Sequence, residues 1–210
     1  MVYSVKEIFY TLQGEGGQAG RPAVFCRFAG CNLWTGLEKD RAKAICQFCD
    51  TDFIGTDGEG GGKFVTPESL VTAIQNAWQG NGGTPLVVCT GGEPLLQLDQ
   101  ALVDAFHKAG IEIAVESNGT VTPPKGIDWL CISPKIGSDL IVTKGQELKL
   151  VYPQEDGEPA QFEHLEFDHF FLQPMDSEAQ AENTTKAVAY CKAHPQWRLS
   201  LQTHKFIDIP

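Results

Sequence analysis

Short apolar runs, each bounded by glycine, proline or charged residues, recur along this chain and predict strands. Six of these runs are continuous rather than alternating in polarity, which is typical of strands that are covered on both faces. They occupy residues 23–28, 86–90, 111–116, 129–132, 147–151 and 169–173.

Apolar residues at helical spacing lie between several of these runs. Thr66 followed by Pro67 is a typical helix start, and the apolar positions after it predict a helix over 66–78. A second helix is predicted over 94–109, with Gly110 as its stop, and a third over 177–193.

Strands that alternate with helices favour an α/β fold with a mostly parallel sheet. About six strands and about three main helices are too few for a closed eight-unit barrel. We therefore expect a partial, incomplete TIM-like barrel, formed by a single domain over residues 1–210. Its ligand site should lie at the carboxyl ends of the strands.

The charge balance narrows the choice of partner. The 210 residues include 16 Lys and Arg against 27 Asp and Glu, so the formal net charge is −11. Such a surface disfavours nucleic acid and anionic membrane as partners. No apolar run reaches membrane-spanning length, and the N-terminal residues lack a signal-peptide pattern. We expect a cytoplasmic protein that acts on a small molecule and keeps its cysteines reduced.

Three of the seven cysteines lie in one polar segment. Fourteen residues separate Cys31 from Cys46, and two separate Cys46 from Cys49. A structural zinc site would need a fourth ligand, which no nearby residue supplies. A redox dithiol at Cys46 and Cys49 would leave Cys31 without a role. An iron–sulfur cluster with one iron left open would use all three thiolates. The spacing alone leaves these alternatives open.

A second candidate motif is Thr90-Gly91-Gly92-Glu93-Pro94, which joins a predicted strand to a predicted helix. Paired glycines allow a ligand to approach the backbone closely, and Glu93 could accept a hydrogen bond from an ammonium group. Taken singly, the motif also fits a tight turn in which Pro94 starts the helix.

Together, the three cysteines and the GGEP turn resemble the radical S-adenosylmethionine superfamily. The resemblance implies a 4Fe–4S cluster on three cysteines after the first strand, and a GGEP-type turn that contacts the methionine amino group. It also accounts for the missing ligand, because S-adenosylmethionine itself occupies the fourth iron. The superfamily usually spaces its cysteines Cys-x3-Cys-x2-Cys, so this chain carries an insertion in its cluster-binding loop, at about residues 31–49.

Further segments resemble one family within that superfamily, the 7-carboxy-7-deazaguanine synthases. They are FYTLQGEG at 9–16, GRPAVFCRF at 20–28, GCNLW at 30–34, CDT at 49–51 and LQTHK at 201–205. The resemblance implies that 6-carboxy-5,6,7,8-tetrahydropterin becomes 7-carboxy-7-deazaguanine with loss of ammonia, in queuosine and deazapurine biosynthesis. A 5′-deoxyadenosyl radical would abstract hydrogen from the substrate, whose ring then contracts.

The resemblance also assigns site residues. Arg27 ends a predicted strand, and its guanidinium can bind a substrate carboxylate in a bidentate manner. The substrate-binding set is Leu12, Gln13, Gly14, Glu15, Arg27, Thr90, Glu116, His204 and the carboxylate of Pro210. The set implied for S-adenosylmethionine is Phe48, Asp50, Gly92, Glu93, Ser117, Ser133, Lys135, Gln173 and Asp176. Thr51 matches the residue with which the family binds Mg²⁺.

The same resemblance implies an external one-electron donor, flavodoxin-like or similar, and a homodimer. Two other functions remain possible from the sequence. One is another radical enzyme, such as a glycyl-radical activase, although the LQGEG and QTHK segments argue against it. The other is a non-catalytic binding module stabilised by zinc.

Overall fold

The protein, represented by a computed structural model that describes residues 2–210, is built on one nine-stranded sheet. The strands, in chain order, are β1 (Tyr3–Leu12), β2 (Pro22–Phe28), β3 (Gly62–Phe64), β4 (Leu86–Gly91), β5 (Glu112–Ser117), β6 (Trp129–Ile132), β7 (Lys144–Tyr152), β8 (Glu166–Pro174) and β9 (Trp197–Leu199). Their order across the sheet is β3-β1-β2-β4-β5-β6-β7-β8-β9.

All pairings from β2 through β9 are parallel, whereas β1 pairs antiparallel with both β2 and β3. The sheet is open, since its order ends at β3 on one side and β9 on the other. The predicted α/β class and the incomplete, mostly parallel sheet are confirmed, and each of the six predicted strands is present. Three strands were not predicted, namely β1, β3 and β9.

Four α-helices accompany the sheet: α1 (Pro67–Ala77), α2 (Gln100–Lys108), α3 (Gln180–Ala193) and α4 (Thr203–Ile207). The start of α1 is as predicted, because the Thr66 side chain accepts a hydrogen bond from the Ser69 backbone N–H and so caps the first turn.

The second predicted helix, over 94–109, is wrong in its first part. Residues Pro94–Leu96 form a 3₁₀ turn, and α2 begins only at Gln100. The reason is local: the Asp99 carboxylate accepts a hydrogen bond from the Leu102 N–H and makes a new helix start there. The predicted stop is correct, since Gly110 has a φ of 73° and follows the last turn.

The main hydrophobic core lies between the sheet and the helices. Leu70 and Ile74 of α1 and Leu102 and Phe106 of α2 are buried in it against the strands. Burial of one such side chain contributes about 1.5–3 kcal/mol, so this face of the sheet fixes the helices firmly. Among residues 2–210, no helix is both long and apolar enough to cross a bilayer.

The opposite face of the sheet has only a small apolar cluster, formed by Ala23, Leu86, Val88 and Ala114. Nearer the carboxyl ends of the strands, the same face carries polar and charged residues. Arg27 of β2 pairs in register with Thr90 of β4, and Glu116 of β5 is likewise adjacent to Cys131 of β6. Parallel strands thus bring these side chains to one edge.

Candidate active site

A cavity of about 700 Å³ opens at the carboxyl ends of the parallel strands. Every site residue that the sequence predicted lines it, with the exception of Glu93. The cavity is also lined by residues that sequence reasoning missed, among them Phe9, Phe25, Asn118, Lys149, Gln202 and Lys205. The strand ends, the N-terminal loop and the C-terminal segment therefore enclose one space.

The three cysteines of the polar segment share one wall of this cavity. The Cys46 thiol donates a hydrogen bond to the Cys49 sulfur, and this is the main reason why the pKa of Cys49 is lowered to about 6. The Thr51 backbone N–H also donates to the Cys49 sulfur. Burial raises the pKa of Cys31, but the Leu33 backbone N–H donates to its sulfur at 3.4 Å. Backbone donors around thiolate sulfurs are what an iron–sulfur cluster uses.

Among residues 2–210, no three His, Cys, Asp or Glu side chains converge closely enough to bind one metal ion together. A cubane makes a different demand, because each thiolate binds its own iron at a separate corner. The three sulfurs therefore need to share a wall rather than a single point. The donor set of three thiols and no fourth side chain fits a cluster with one open iron.

The long insertion between the first two cysteines folds back onto the wall of the cavity that the three cysteines form. It contains a 3₁₀ helix, Glu38–Lys43, and Arg41 in that helix holds the loop closed. One guanidinium nitrogen of Arg41 donates to the Gln47 carbonyl at 2.8 Å and to the Cys49 carbonyl at 3.0 Å. The same guanidinium lies 4.1 Å from the centre of the Trp34 ring. These contacts of Arg41 hold Cys46 beside Cys49, despite the wide spacing between Cys31 and Cys46 in the sequence.

The GGEP turn packs directly against the start of the cluster loop. Gly91 has a φ of 141°, which L side chains rarely adopt, and a Cβ there would overlap the Phe28 carbonyl. A Cβ at Gly92 would overlap the Gly30 carbonyl and lie 2.7 Å from the Cys31 Cβ. The Glu93 N–H donates to the Gly30 carbonyl at 2.9 Å. Both glycines are needed to bring these two loops together.

Glu93 is completely buried and faces away from the cavity. Its carboxylate accepts hydrogen bonds from the Leu95 N–H at 3.0 Å, the Ser117 hydroxyl at 2.9 Å and the Asn118 N–H at 2.8 Å. Burial raises its pKa, although these donors and Lys135 oppose that change. The Glu93 side chain thus joins the loops after β4 and β5, and the contact of this residue to S-adenosylmethionine stays a prediction.

A chain of side-chain hydrogen bonds continues from that junction to the cluster loop. The Asn118 amide donates to the Asn32 side-chain oxygen at 3.0 Å, and the Asn32 amide donates to the Thr120 hydroxyl at 2.7 Å. Together with the contact between Glu93 and Gly30, these bonds form a closed ring through the loops after β2, β4 and β5. We call this set, Gly30, Asn32, Glu93, Asn118 and Thr120, the loop ring.

The LQGEG segment is fixed over the cavity from two sides. From the C-terminal segment, the Thr203 hydroxyl donates to the Gly14 carbonyl at 2.7 Å and the Ser200 hydroxyl accepts from the Gly16 N–H at 2.9 Å. From β7, the Glu147 carboxylate accepts from the Gly17 N–H at 2.9 Å. A Cβ at Gly14 would overlap the ring of His204, and one at Gly16 would overlap Glu147. The glycines are explained by these close approaches.

Beneath that segment lie one buried ammonium and two partly buried carboxylates, which we call the ammonium triad: Glu15, Glu116 and Lys149. The Lys149 ammonium contacts the Glu15 carboxylate at 2.5 Å and the Glu116 carboxylate at 2.6 Å, and its side chain is only 3% exposed. Sequence reasoning predicted both glutamates but missed Lys149. The available signal was a pair of charged residues, Glu147 and Lys149, that alternate with apolar residues in the run 147–151.

Comparisons with known proteins agree with this arrangement. The family model of the radical SAM superfamily matches residues 41–141. Two relatives named 7-carboxy-7-deazaguanine synthase, from Caulobacter vibrioides and Bordetella pertussis, are 62% and 64% identical to this chain, with 100% of both chains covered. The crystal structure of QueE from Escherichia coli matches with a TM-score of 0.68 and 27% identity, over 96% of this chain and 94% of that one.

The chain belongs to the 7-carboxy-7-deazaguanine synthase family. The family and the enzyme class that the motifs predicted are confirmed, and the zinc-stabilised module and the glycyl-radical activase are set aside. As a member of this radical SAM family, the protein is a lyase. The family implies a 4Fe–4S cluster, S-adenosylmethionine, a small-molecule substrate and an external electron donor.

In this member of the family, Arg27 has a partner that sequence reasoning missed. Its Nε donates to the Glu7 carboxylate of β1 at 2.7 Å, which fixes the plane of the guanidinium. Within residues 2–210 its two terminal nitrogens make no hydrogen bond, and Arg27 lines the cavity. Phe9 and Phe25 stack beside it, with ring centres 5.4 Å apart. A planar anionic ligand would meet both a cation and an aromatic surface here.

The far side of the cavity is joined to the C-terminal segment by Lys205 of α4. Its ammonium contacts Asp50, next to the last cluster cysteine, at 2.9 Å and Asp176, after β8, at 2.5 Å. On the neighbouring wall, the Lys135 ammonium lies near the Phe48 ring and donates to the Ser133 carbonyl at 2.6 Å. The residues assigned to S-adenosylmethionine other than Glu93 thus line this part of the cavity.

Proposed function

We propose that this protein converts 6-carboxy-5,6,7,8-tetrahydropterin to 7-carboxy-7-deazaguanine with loss of ammonia, a step in queuosine and deazapurine biosynthesis. One structural observation carries the proposal. A three-thiol wall, a guanidinium with two free terminal nitrogens and a pair of partly buried carboxylates line the same cavity in the described part of the chain. The names of the two relatives that match along the whole chain support it independently. We propose that residues 1–210 act as one domain with the cluster loop inserted at 31–49.

The substrate end of the cavity suits a carboxylated pterin. The free terminal nitrogens of Arg27 match a carboxylate, and a fixed guanidinium binds it in a bidentate manner. Glu15, Glu116 and Gln13 supply acceptors and a donor for the amide and amino groups of the pterin edge. The remaining substrate contacts that we propose are Leu12, Gly14, Thr90, His204 and Pro210.

The other end suits S-adenosylmethionine and its cluster. Cys31, Cys46 and Cys49 would hold the cluster, which with S-adenosylmethionine would supply the radical chemistry that takes a hydrogen atom from the substrate. The residues of this chain position that cofactor and exclude water, with Gly92 beside the cluster and Lys135 available for a carboxylate. The other proposed contacts are Phe48, Asp50, Ser117, Ser133, Gln173 and Asp176.

We propose that Thr51 would hold Mg²⁺, which would help to fix the substrate in the cavity. Thr51 lines the cavity next to Asp50 and offers a hydroxyl oxygen, and Mg²⁺ prefers oxygen ligands and keeps several that the protein does not supply. A matched Thr51→Val and Thr51→Ser pair tests this, because only the serine variant keeps the hydroxyl. Activity that responds equally to added Mg²⁺ in both variants would exclude Thr51 as a ligand.

We further propose a homodimer that works in the cytoplasm with a flavodoxin-like electron donor. Reduced thiols are required to hold the cluster, and the cytoplasm is the compartment that keeps them reduced. Light scattering on the reconstituted protein measures the oligomeric state, and turnover with purified flavodoxin in place of a chemical reductant tests the donor.

Anaerobic reconstitution followed by mass spectrometry tests the reaction itself. Protein with about four irons per chain, incubated with 6-carboxytetrahydropterin, S-adenosylmethionine, Mg²⁺ and dithionite, should yield 7-carboxy-7-deazaguanine and 5′-deoxyadenosine. Cleavage of S-adenosylmethionine without the deazaguanine product would overturn the substrate assignment. A Cys49→Ala variant that still cleaves S-adenosylmethionine would overturn the cluster assignment, and Cys191→Ala, outside the cavity, is its control.

A further inference from the structure

Lys149 is a buried cation on the inner face of the sheet, between the buried apolar residues Leu148 and Leu150 of β7. It contacts two carboxylates at once, Glu15 from the N-terminal loop and Glu116 from the end of β5. Stability does not explain this arrangement, because burying an ammonium is costly and apolar replacements of buried ion pairs are often neutral or stabilising. Moreover, all three side chains line the cavity rather than the sealed core.

Each carboxylate of the triad is held by a second donor. The Gln202 amide donates to the Glu15 oxygen that Lys149 does not contact, at 3.0 Å. The Gln13 amide does the same for Glu116 at 2.9 Å. Since a carboxylate oxygen can accept two hydrogen bonds, each glutamate keeps acceptor capacity for a ligand. Lys149 thus fixes the spacing of two carboxylates whose other lone pairs are available to a ligand.

We propose that Lys149 is a positioning residue for the substrate: its ammonium sets the distance between the Glu15 and Glu116 carboxylates and keeps them ionised together to receive the amino and amide hydrogens of the pterin edge. This inference rests on the proposed function, because it takes those two glutamates as substrate contacts. Without the ammonium, two carboxylates would share a buried site and could not both ionise at neutral pH.

The protonation behaviour of the triad agrees with this role. Burial alone would raise the pKa of Glu15, but the attraction and hydrogen bond of Lys149, with a further bond from Gln202, lower it to about 2. Burial raises the pKa of Glu116, and Lys149 offsets this only in part, because Glu15 and Glu147 repel its charge. Lys149 itself stays charged, since its neighbouring carboxylates raise its pKa well above the usual value against the effect of burial.

Other ionisable groups face the triad and belong in any account of its pH dependence. They are Glu147 on the same strand, Cys131 on β6, Lys135 after β6, His169 on β8 and His204 on α4. Within residues 2–210, none of these makes a hydrogen bond to either carboxylate of the triad. Removing Lys149 should therefore act on Glu15 and Glu116 before it acts on any other group.

The test compares Lys149→Met, Lys149→Arg and Lys144→Met, all on β7. Lys144 is exposed at the opposite end of the strand and serves as the control. We expect K149M to bind 6-carboxytetrahydropterin at least about 30-fold more weakly at pH 7, without reductant present. The acid limb of its kcat/KM profile should move up by about one pH unit or more. The K149R variant should restore the acid limb, because it keeps the positive charge.

Each outcome bears on the proposal. A K149M enzyme with an unchanged acid limb and unchanged substrate affinity would overturn it, while the proposed function would stand. A wild-type protein that cleaves S-adenosylmethionine but neither binds nor converts the pterin would overturn the proposed function and this inference with it. If K149M does not fold, the double variant K149M/E116Q removes one of the two carboxylates that lose their ammonium partner. It should bind the pterin at least about 10-fold more weakly than E116Q alone, and equal affinity would refute the role of Lys149.

Discussion

Gly92 and Cys31 lie so close that a Cβ on the glycine would come within 2.7 Å of the cysteine Cβ. The two residues follow different strands, β4 and β2, which pair in parallel and end side by side. The Gly92 N–H also donates to the Phe28 carbonyl, at 3.3 Å, so the backbone leaves no room between the loops. The GGEP turn is therefore a structural neighbour of the first cluster cysteine.

A Gly92→Ala substitution should displace that cysteine. Because the added methyl group would meet the Gly30 backbone as well as the Cys31 side chain, the cluster loop has to shift. We expect the variant to bind less than half of the wild-type iron after anaerobic reconstitution, measured by iron analysis and by the low-temperature EPR signal of the reduced cluster. Gly62→Ala is the control, since its nearest neighbour is an aromatic carbon 3.9 Å away. Full iron content in G92A would contradict the expectation.

Replacement of Arg27 by lysine should weaken substrate binding although the charge is kept. Lysine offers a point charge and cannot pair with Glu7 and bind a carboxylate in a bidentate manner together. We expect KM for the pterin to rise about 10-fold or more, which corresponds to about 1.4 kcal/mol. Arg198→Lys, on the exposed side of β9, is the matched control. A KM for R27K equal to that of the control would place the substrate carboxylate elsewhere.

Glu93→Gln should destabilise the protein more than it alters the cavity. Gln offers one acceptor oxygen and an amide N–H₂ in place of two acceptor oxygens, so one of the donors from Leu95, Ser117 or Asn118 would face another donor. We expect a loss of about 1–3 kcal/mol in the free energy of unfolding, measured with urea on cluster-free protein. Glu178→Gln, on an exposed turn, provides the comparison. Equal stability of the two variants would show that the buried carboxylate is dispensable.

Lys205→Met should loosen the C-terminal segment over the cavity. The side chain of Lys205 is 35% exposed, so its two ion pairs together contribute about 0.2–1 kcal/mol in water. Hydrogen exchange of residues 200–210 should therefore speed up, and KM should rise about two- to five-fold. Lys186→Met breaks a surface pair on α3 and should change neither quantity. Unaltered exchange in K205M would mean that the hydrogen bonds of Thr203 hold the segment without help.

The free energy of unfolding should depend on the ionisation of Glu15 at low pH. Its pKa is about 2 in the folded protein and about 4.5 when unfolded, so its contribution is present above pH 4.5. That contribution is lost as the pH falls from about 4.5 towards 2, because the proton then binds the unfolded chain more tightly. A Glu15→Gln variant should show a shallower decline in unfolding free energy between about pH 5 and pH 3. Parallel declines in both proteins would show that Lys149 does not depress this pKa.

The strands around the cavity could be predicted because each is a continuous apolar run with a glycine or polar residue at its end. Strand β1 could not be predicted, since a bulge between Val5 and Glu7 interrupts its alternation of buried and partly exposed residues. The break before α2 was missed because apolar spacing continues through it, and only the cap at Asp99 makes the helix start there. A bulge decided the first case and a side-chain cap the second.

The site residues that motifs name were predicted, whereas their supports were not. Arg41 and Lys149 have no local motif, because Arg41 acts on backbone carbonyls of its own loop and Lys149 acts on residues that are distant in sequence. Glu93 shows a different restriction of sequence patterns. The GGEP motif locates the residue, but only the fold reveals that its carboxylate points into the protein interior. Sequence patterns locate a residue on its strand or loop, while the direction of its side chain depends on the elements packed beside it.

No residue from Thr35 to Ala44 takes part in the hydrogen bonds of the loop ring. Length and composition can change there at little entropic cost, because the anchoring points on either side stay fixed. Evolution could therefore lengthen, shorten or replace the rest of this surface excursion without rebuilding the site, provided that Arg41 still donates to the Gln47 and Cys49 carbonyls. Protein engineers could graft a reporter peptide or a partner-binding sequence at the same place.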